Sequence, residues 1–233
     1  MKLERITAWL DKTLKVADFD DVSNNGLQVG RVEKVEEVAF AVDASVRAVE
    51  QAAKAGAQLL VVHHGISWGG GIKRVTGGVG NVIRAAIEGN IAICAYHLPL
   101  DAHPTLGNNA QLAKLLGLRR VKPAFSYHGN VIGLVGELSR RQSIAIGSRR
   151  YEFGLGRIGI CSGGAGEFAE EAKDLGCDLY LTGEASWGDV IAAENVGMKM
   201  VCAGHYETEV FGVRALAGAM KKALKLRTVD LTK

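Results

Sequence analysis

The apolar run Leu59-Leu60-Val61-Val62 is followed directly by two histidines, His63 and His64. A short, continuous apolar run predicts a strand that is buried on both faces of a parallel sheet. Open α/β sheets bind ligands just beyond the carboxyl ends of their strands, so imidazoles at this position favour a functional site. Successive strand side chains point to opposite faces, and we therefore expect the two rings to serve two ions, or one ion and one supporting contact. The alternative is a loop histidine beside a hydrogen-bonded core histidine.

Helical and strand patterns alternate along the first half of the chain. Residues 2–16 and 45–56 have one apolar face, as amphipathic helices do, while residues 35–42 and 91–96 are apolar enough for buried strands. This alternation predicts a parallel sheet with right-handed crossovers. The pattern changes near Lys122-Pro123, where shorter strands with tight turns begin.

We therefore predict an α/β protein of two α/β domains with mixed, largely parallel sheets. The first domain covers residues 1–125 and the second residues 126–233, with the metal site at strand ends between them. The last strand and helix are equally able to pack back on the first domain.

Composition excludes several classes of function. The net charge of +3 is too small to argue for binding to nucleic acid or to an acidic membrane. No apolar stretch reaches the ~20 residues of a membrane span, and the first five residues lack the apolar core of a signal peptide. We expect a cytoplasmic protein with no nucleic-acid or membrane partner. The four cysteines show no C-x-x-C spacing and are interpreted as reduced and mostly buried.

The segment Gly154-Leu155-Gly156-Arg157-Ile158-Gly159 fits the dinucleotide pattern G-x-G-x-x-G. That fingerprint requires a strand before it and a helix after it, so that the pyrophosphate meets a helix N-terminus. Here the segment lies inside a predicted pair of strands. We interpret it as a strand turn and expect no nucleotide site there.

Four predicted strands end in side chains that can bind metals. These side chains are His63 and His64, then His97 and Asp101, then Glu184, and finally His205 and Glu209. In a parallel sheet the carboxyl ends of the strands share one rim, so we expect these side chains to converge. Taken singly, Glu209 also suits a first helical turn, and Asp101 suits a turn or cap. Their joint occurrence favours a metal site.

The ligand types indicate which metals fit. Imidazole and carboxylate without thiolate suit Zn²⁺, Fe²⁺, Mn²⁺ or Ni²⁺ rather than a structural site of four cysteines. Even three of these histidines with two of the carboxylates would be more ligands than one catalytic ion with an open position takes. The sequence therefore predicts two divalent metal ions per chain, and a two-metal centre suits hydrolysis by metal-activated water.

Five spaced motifs resemble the Nif-three-like dinuclear metal-centre family, whose bacterial members are often named homologues of a GTP cyclohydrolase. The motifs are Ser23-Asn24-Asn25-Gly26-Leu27-Gln28-Val29-Gly30, Val62-His63-His64-Gly65, His97-Leu98-Pro99-Leu100-Asp101, Leu181-Thr182-Gly183-Glu184 and Ala203-Gly204-His205-Tyr206-Glu207-Thr208-Glu209. The resemblance covers nearly the whole chain. It implies metal ligands at His63, His64, Asp101, His205 and Glu209, a two-domain α/β subunit and a hexameric ring of identical chains.

Two functions remain open on the sequence. The first is a dinuclear metal-dependent hydrolase acting on a small molecule, either a purine ring as in a cyclohydrolase or a phosphoester. The second is a metal-binding or assembly protein that works through protein partners without turnover. His97, Glu184 and His128, with Tyr127, are candidate proton donors or acceptors or, equally, hydrogen-bonded supports of the metal ligands. Trp68 and Trp187 are interpreted as interface anchors, pocket walls or caps on the core.

Overall fold

The structure is a computed structural model that describes residues 1–30 and 32–232. The strands, in chain order, are β1 (Gly26–Val29), β2 (Glu37–Asp43), β3 (Leu59–His64), β4 (Ala92–Ala95), β5 (Arg119–Tyr127), β6 (Asn130–Leu138), β7 (Gln142–Ile146), β8 (Arg149–Phe153), β9 (Gly156–Gly164), β10 (Leu179–Glu184), β11 (Met200–Cys202) and β12 (Arg227–Asp230). The helices are α1 (Leu3–Leu14), α2 (Val46–Lys54), α3 (Gly77–Glu88), α4 (Leu98–Asp101), α5 (Asn108–Leu115), α6 (Ala169–Asp174), α7 (Trp187–Asn195) and α8 (His205–Leu224). The predicted class, mixed α/β with largely parallel sheets, is confirmed.

Contacts group the chain into two compact units. The first unit comprises Met1–Leu100 and Val213–Lys233, and the second comprises Asp101–Gly212. The predicted boundary after residue 125 lies inside β5. Asp101, expected in the first domain, opens the second unit. The second half of α8 groups with the first unit, as the alternative allows for the last helix, but the predicted last strand, β11, stays in the second unit. The C-terminal strand β12, which the sequence does not predict, joins the first unit.

Five strands of the described chain form the sheet of the first unit, in the order β1-β4-β3-β2-β12. The pairs β12–β2, β2–β3 and β3–β4 are parallel, while β1 is antiparallel to β4. The central strands are apolar runs such as Leu59–Val62, each of whose residues is at most 2% exposed. Because both faces are covered, these strands do not alternate between apolar and polar residues.

The helices of the first unit begin at recognisable signals. The Ser45 hydroxyl accepts a hydrogen bond from the amide of Ala48 and so caps α2. Helices α2 and α3 contribute Val49, Ala52, Val82 and Ala86 to the apolar core over the sheet.

The second unit has its own sheet, in the order β11-β10-β9-β6-β5, and a two-stranded ribbon, β7–β8, within the described residues. Strands β9, β10 and β11 are parallel, and β5 and β6 complete the sheet in antiparallel fashion. The core of this unit packs Leu112 and Leu116 of the α5 region against Ile158, Ile160 and Leu181 of the sheet. The carboxyl ends of β9, β10 and β11 therefore share one rim.

The expectation about the strand ends requires correction. The four strand ends do not share one rim, because β3 and β4 belong to one sheet and β10 and β11 to the other. Three of the four cysteines are buried, as expected for most of them, and Cys202 is exposed. Trp187, interpreted as an interface anchor, a pocket wall or a cap on the core, is the first residue of α7. As predicted, the segment Gly154–Gly159 joins β8 to β9 rather than a strand to a helix.

None of the helices in residues 1–30 and 32–232 has the length and apolarity needed to cross a membrane.

Candidate metal centre

Three imidazoles gather at the ends of β3 and β4 in the first unit. The parallel register pairs Val62 with Ala95, so His63 and His64 lie beside the residues that follow β4. His63, His64 and His97 each offer a ring nitrogen, and these atoms lie within 4.8 Å of one another. The sequence marks His97 as a proton donor or support, and the structure places it in the same cluster as the two predicted ligands.

The tautomer of His63 is fixed by a backbone carbonyl. The His63 side chain is fully buried, and its Nδ1 lies 2.9 Å from the carbonyl oxygen of Tyr96. A carbonyl oxygen only accepts, so Nδ1 carries the proton and Nε2 carries the lone pair. This is the arrangement typical of a metal-binding histidine.

His64 is oriented by a carboxylate on the neighbouring strand. The parallel register pairs Asp43 with His64, and the Asp43 Oδ1 lies 2.8 Å from His64 Nδ1. Adjacent side chains in a strand were expected to point to opposite faces. The rings of His63 and His64 instead lie close together, with centroids 4.5 Å apart. His64 is the last residue of β3, where the regular alternation of side chains ends. The assignment of the two rings to different ions therefore loses its geometric argument and stays a prediction.

Asp21 organises the third imidazole and the loop before β1. Its Oδ1 lies 2.9 Å from His97 Nδ1, and its Oδ2 accepts from the amide of Leu98 at 2.9 Å. Ser23 and Asn25 belong to the same loop, and the Ser23 amide and the Asn25 Nδ2 also donate to Asp21. Burial alone raises the pKa of Asp21, but the hydrogen bonds and the charge of His97 outweigh it and lower that pKa below the ordinary value.

A second loop, residues 65–68, closes over the same strand ends. The Gln28 Oε1 accepts from the amides of Ile66 and Ser67, at 2.7 and 3.1 Å. A Cβ atom on Gly65 would lie 2.1 Å from that oxygen, so any larger residue there would displace the Gln28 amide from these hydrogen bonds. The motif residue Gln28, to which the sequence assigns no role, thus ties the two loops together.

In the second unit, the predicted pair His205 and Glu209 lies at the start of α8. The helix begins at His205, so the two residues lie one turn apart, and the His205 Nε2 is 3.2 Å from the Glu209 Oε1. On the other side of the ring, Nδ1 is 3.0 Å from the Glu184 Oε1 at the end of β10. A Cβ on Gly163, whose φ is +70°, would lie 2.5 Å from the Glu209 Oε1. The glycine therefore makes room for the carboxylate.

These two carboxylates set the protonation of His205. Its hydrogen bond to Glu209 raises the pKa to about 9, against the effect of burial, and Glu184 adds to the increase. Glu209 is only 2% exposed, so its negative charge is poorly screened by water.

Asp101 is buried and held by two polar side chains. Its Oδ1 accepts from Asn108 Nδ2 at 2.8 Å and from Ser162 Oγ at 3.1 Å. Asn108 in turn accepts from the amide of Gly212 in α8 at 2.7 Å. A carboxylate oxygen of Asp101 lies within 4.8 Å of one of Glu209. Two like charges this close in a buried place favour a cation between them.

Tyr127 is the last residue of β5, and His128 follows it in the turn before β6. The His128 backbone has a φ of +46°, and its ring stands edge-on to that of Tyr127 with centroids 4.3 Å apart. Their role as proton donors or acceptors stays a prediction. The supports that the sequence does not mark are Asp21, Asp43, Asn108, Ser162 and the Tyr96 carbonyl. Of these, only Asp21 has a local signal, since it precedes the turn sequence Asn24-Asn25-Gly26.

Comparison with known proteins places this arrangement in a family. The model of the Duf34/NIF3 (NGG1p interacting factor 3) family matches residues 1–232. A Pyrococcus horikoshii protein named GTP cyclohydrolase 1 type 2 homolog is 40% identical, over 98% of this chain and 97% of its own. Two solved structures are 30% identical and match 99% of this chain and 98% of theirs: protein ybgI, described as of unknown function, with a TM-score of 0.86, and TTHA1606 from Thermus thermophilus, with 0.79. The chain therefore belongs to the Duf34/NIF3 family.

Proposed function

We propose that this protein is a hydrolase that uses two divalent metal ions per chain, held by His63, His64, Asp101, His205 and Glu209. The observation that carries the proposal is the imidazole cluster of the first unit, whose ring nitrogens lie within 4.8 Å of one another. The Nδ1 atoms of His63, His64 and His97 each lie within hydrogen-bond distance of an oxygen. Histidines that bind metals are oriented in this way by oxygen partners.

The donor set fits the proposed ions. It consists of imidazole nitrogens and carboxylate oxygens, which suit Zn²⁺, Fe²⁺, Mn²⁺ or Ni²⁺. The carboxylates of Asp101 and Glu209, 7% and 2% exposed, lie close together, and a divalent cation would offset the repulsion between them. When bound, two such ions supply the Lewis acidity that activates water and stabilises developing negative charge.

The residues around the ligands hold them in one orientation and manage protons. Asp21 and Asp43 keep the protons of His97 and His64 on Nδ1, and the Tyr96 carbonyl does the same for His63. Glu184 accepts the His205 Nδ1 proton, and its side chain is 65% exposed, so it can exchange that proton with solvent. We propose that Glu184 positions His205 and passes its proton to water.

For the substrate, we propose a small molecule with a purine ring or a phosphoester. The relatives named GTP cyclohydrolase 1 type 2 homolog support the first of these by name.

We also propose a ring of six identical chains. Light scattering should then give a mass six times that of the 24.7 kDa chain, and a monomer at micromolar concentration would rule out the ring.

Gently purified protein is expected to contain close to two divalent ions per chain. Elemental analysis gives the count, and the same preparation should hydrolyse at least one compound in a screen of nucleotides, phosphoesters and cyclic amides. Chelator-treated protein is the control and should be inactive until metal is restored. Two ions without turnover on any compound would favour the metal-binding assembly protein, and a reproducible single ion would contradict the dinuclear centre.

Metal affinity is expected to increase with pH from about 6.5 to about 8.5. The hydrogen bond to Glu209 raises the pKa of His205 to about 9, and imidazole binds metal only after losing its proton. One displaced proton changes the affinity by about tenfold per pH unit. Competition with a chelator of known affinity measures this, and an affinity that is flat across the range would contradict it.

The metal-free protein should show the opposite dependence. A folded-state pKa above the ordinary value of 6.5 stabilises the fold at pH values below 6.5, and this contribution is lost as the pH rises through about 9. Thermal unfolding of metal-free wild type and of the Glu184→Gln variant, in which one cause of the raised pKa is removed, should show a smaller pH dependence in the variant.

A further inference from the structure

Trp68 lies beside the imidazole cluster with a large part of its surface exposed. Its ring centroid is 5.1 Å from that of His97 and 6.1 Å from that of His64. The residue is nevertheless 38% exposed, although a large aromatic side chain gains much by burial. An exposed tryptophan beside half-buried imidazoles is typical of a pocket wall, where an apolar surface of a ligand can cover the indole.

The indole is held in one orientation although it is exposed. Its Nε1 donates to the Gly65 carbonyl at 3.0 Å. The backbone of Trp68 pairs with Ser23 as an antiparallel bridge, and the amide of Gly69 donates to the Val22 carbonyl at 2.6 Å. Gln28 fixes the preceding residues through two backbone amides of the same loop. An aromatic side chain that is already ordered loses little conformational entropy when a ligand stacks on it.

We propose that Trp68 is a specificity-determining residue, the platform on which a planar heteroaromatic ring of the substrate stacks beside the imidazole cluster. This inference names the part of the substrate that the protein would recognise, and it rests on the proposed function for the hydrolysis that follows binding. Stacking on an aromatic side chain tolerates different bases, because every base has a π face. A larger ring overlaps the indole more, so a purine should bind more tightly than a pyrimidine.

A purely structural role for Trp68 makes a different prediction. If the indole only covers the cluster, its removal should alter metal retention or stability and leave ring preference unchanged. Trp187 provides the matched control, since it is 77% exposed at the first turn of α7, in the other unit. Trp9, the remaining tryptophan of the three, lies on α1.

The first test uses a variant in which Trp68 is the only tryptophan, made by Trp9→Phe and Trp187→Phe. Its fluorescence is titrated with guanosine 5′-monophosphate, cytidine 5′-monophosphate and ribose 5-phosphate, in metal-free and in zinc-loaded protein. We expect saturable quenching that is strongest for the purine, weaker for the pyrimidine and absent for ribose 5-phosphate. The lack of saturable quenching by either ring compound would overturn the proposal.

The second test measures affinity by equilibrium dialysis in the otherwise unaltered chain. Trp68→Leu should lower the affinity for the purine nucleotide by about 10- to 100-fold, as the loss of one stacked base does. Trp68→Phe should lower this affinity only a few-fold, and Trp187→Leu should leave it unchanged. Equal affinity of wild type and Trp68→Leu, or equal losses for ribose 5-phosphate and the purine nucleotide, would show that Trp68 does not read the ring.

The failures of the two proposals are distinguishable. Metal content is measured on the same samples, so ring binding without metal or turnover would leave Trp68 as a binding platform and contradict the hydrolase. Two ions and turnover, with no effect of Trp68→Leu on ring preference, would support the hydrolase and contradict the role of Trp68. If Trp68→Leu does not fold, the fluorescence titrations of the variant in which Trp68 is the only tryptophan still test whether the indole binds the ring.

Discussion

Glu209→Gln should lose most of its bound metal and all metal-dependent hydrolysis while the fold survives. The substitution keeps the size of a side chain that is 2% exposed but removes the charge that a divalent ion requires. Removal of a mere support of a metal ligand costs about 10- to 100-fold in affinity, and we expect a larger loss for a ligand itself. Elemental analysis after gel filtration and a far-ultraviolet circular dichroism spectrum measure the two effects.

The matched control for this experiment is Glu207→Gln. Glu207 lies on the same helix, but two residues correspond to roughly 200° of rotation, so it faces away from the side shared by His205 and Glu209. Its side chain packs at Gly147 and Gly204, whose added Cβ atoms would lie 2.4 and 2.1 Å from it. Its metal content should equal that of wild type. Full metal in Glu209→Gln, or unfolding of the metal-free protein in native buffer, would contradict the assignment.

Asp21→Ala should lower the free energy of unfolding of the metal-free protein by about 3–5 kcal/mol, the cost typical of breaking a buried ion pair. The Asp21 side chain is 2% exposed and accepts from four donors. Without it, His97 and the amides of Ser23 and Leu98 lose their partner in a buried place, and an unpaired buried donor is costly. Urea unfolding of the two proteins measures the difference.

The same experiment has a pH signature. Because the pKa of Asp21 is lowered in the fold from its ordinary 3.8, its contribution is present above that value and is lost as the pH falls through the folded-state pKa. The difference between wild type and Asp21→Ala should therefore shrink in acid. Asp18→Ala, at an exposed position, is the control and should change stability by less than about 0.5 kcal/mol. An equally small change in Asp21→Ala would show that the Asp21 network is dispensable.

The central strands were predictable because burial on both faces leaves a continuous apolar run. Strands β2, β3 and β4 carry such runs, and the predicted bounds of each lie within about two residues of the observed ones. Strands β1, β5 and β12 were missed, and all three lie at sheet edges. Edge strands face solvent and accept residues that break the pattern; Pro123, for example, lies within β5.

The ligands of the candidate centre were easier to predict than their supports. His205 and Glu209 share one helical turn, and His63-His64 closes a strand, so local spacing marks them. Asp43 reaches His64 only through the pairing of β2 with β3, and the Tyr96 carbonyl carries no residue identity at all. Sheet order also lies outside local sequence, which is why four strand ends were wrongly expected on one rim.

The pairing of β12 with β2 has a consequence for biosynthesis. Strand β12 adds residues 227–230 to the sheet edge beside Glu37–Phe40, so the first unit is assembled from segments at both ends of the described chain. The second unit, in contrast, is one continuous stretch, Asp101–Gly212. On the ribosome, the second unit can therefore complete its sheet while β2 still waits for its last neighbour. We expect nascent chains stopped before residue 227 to resist proteolysis in the second unit earlier than in the first.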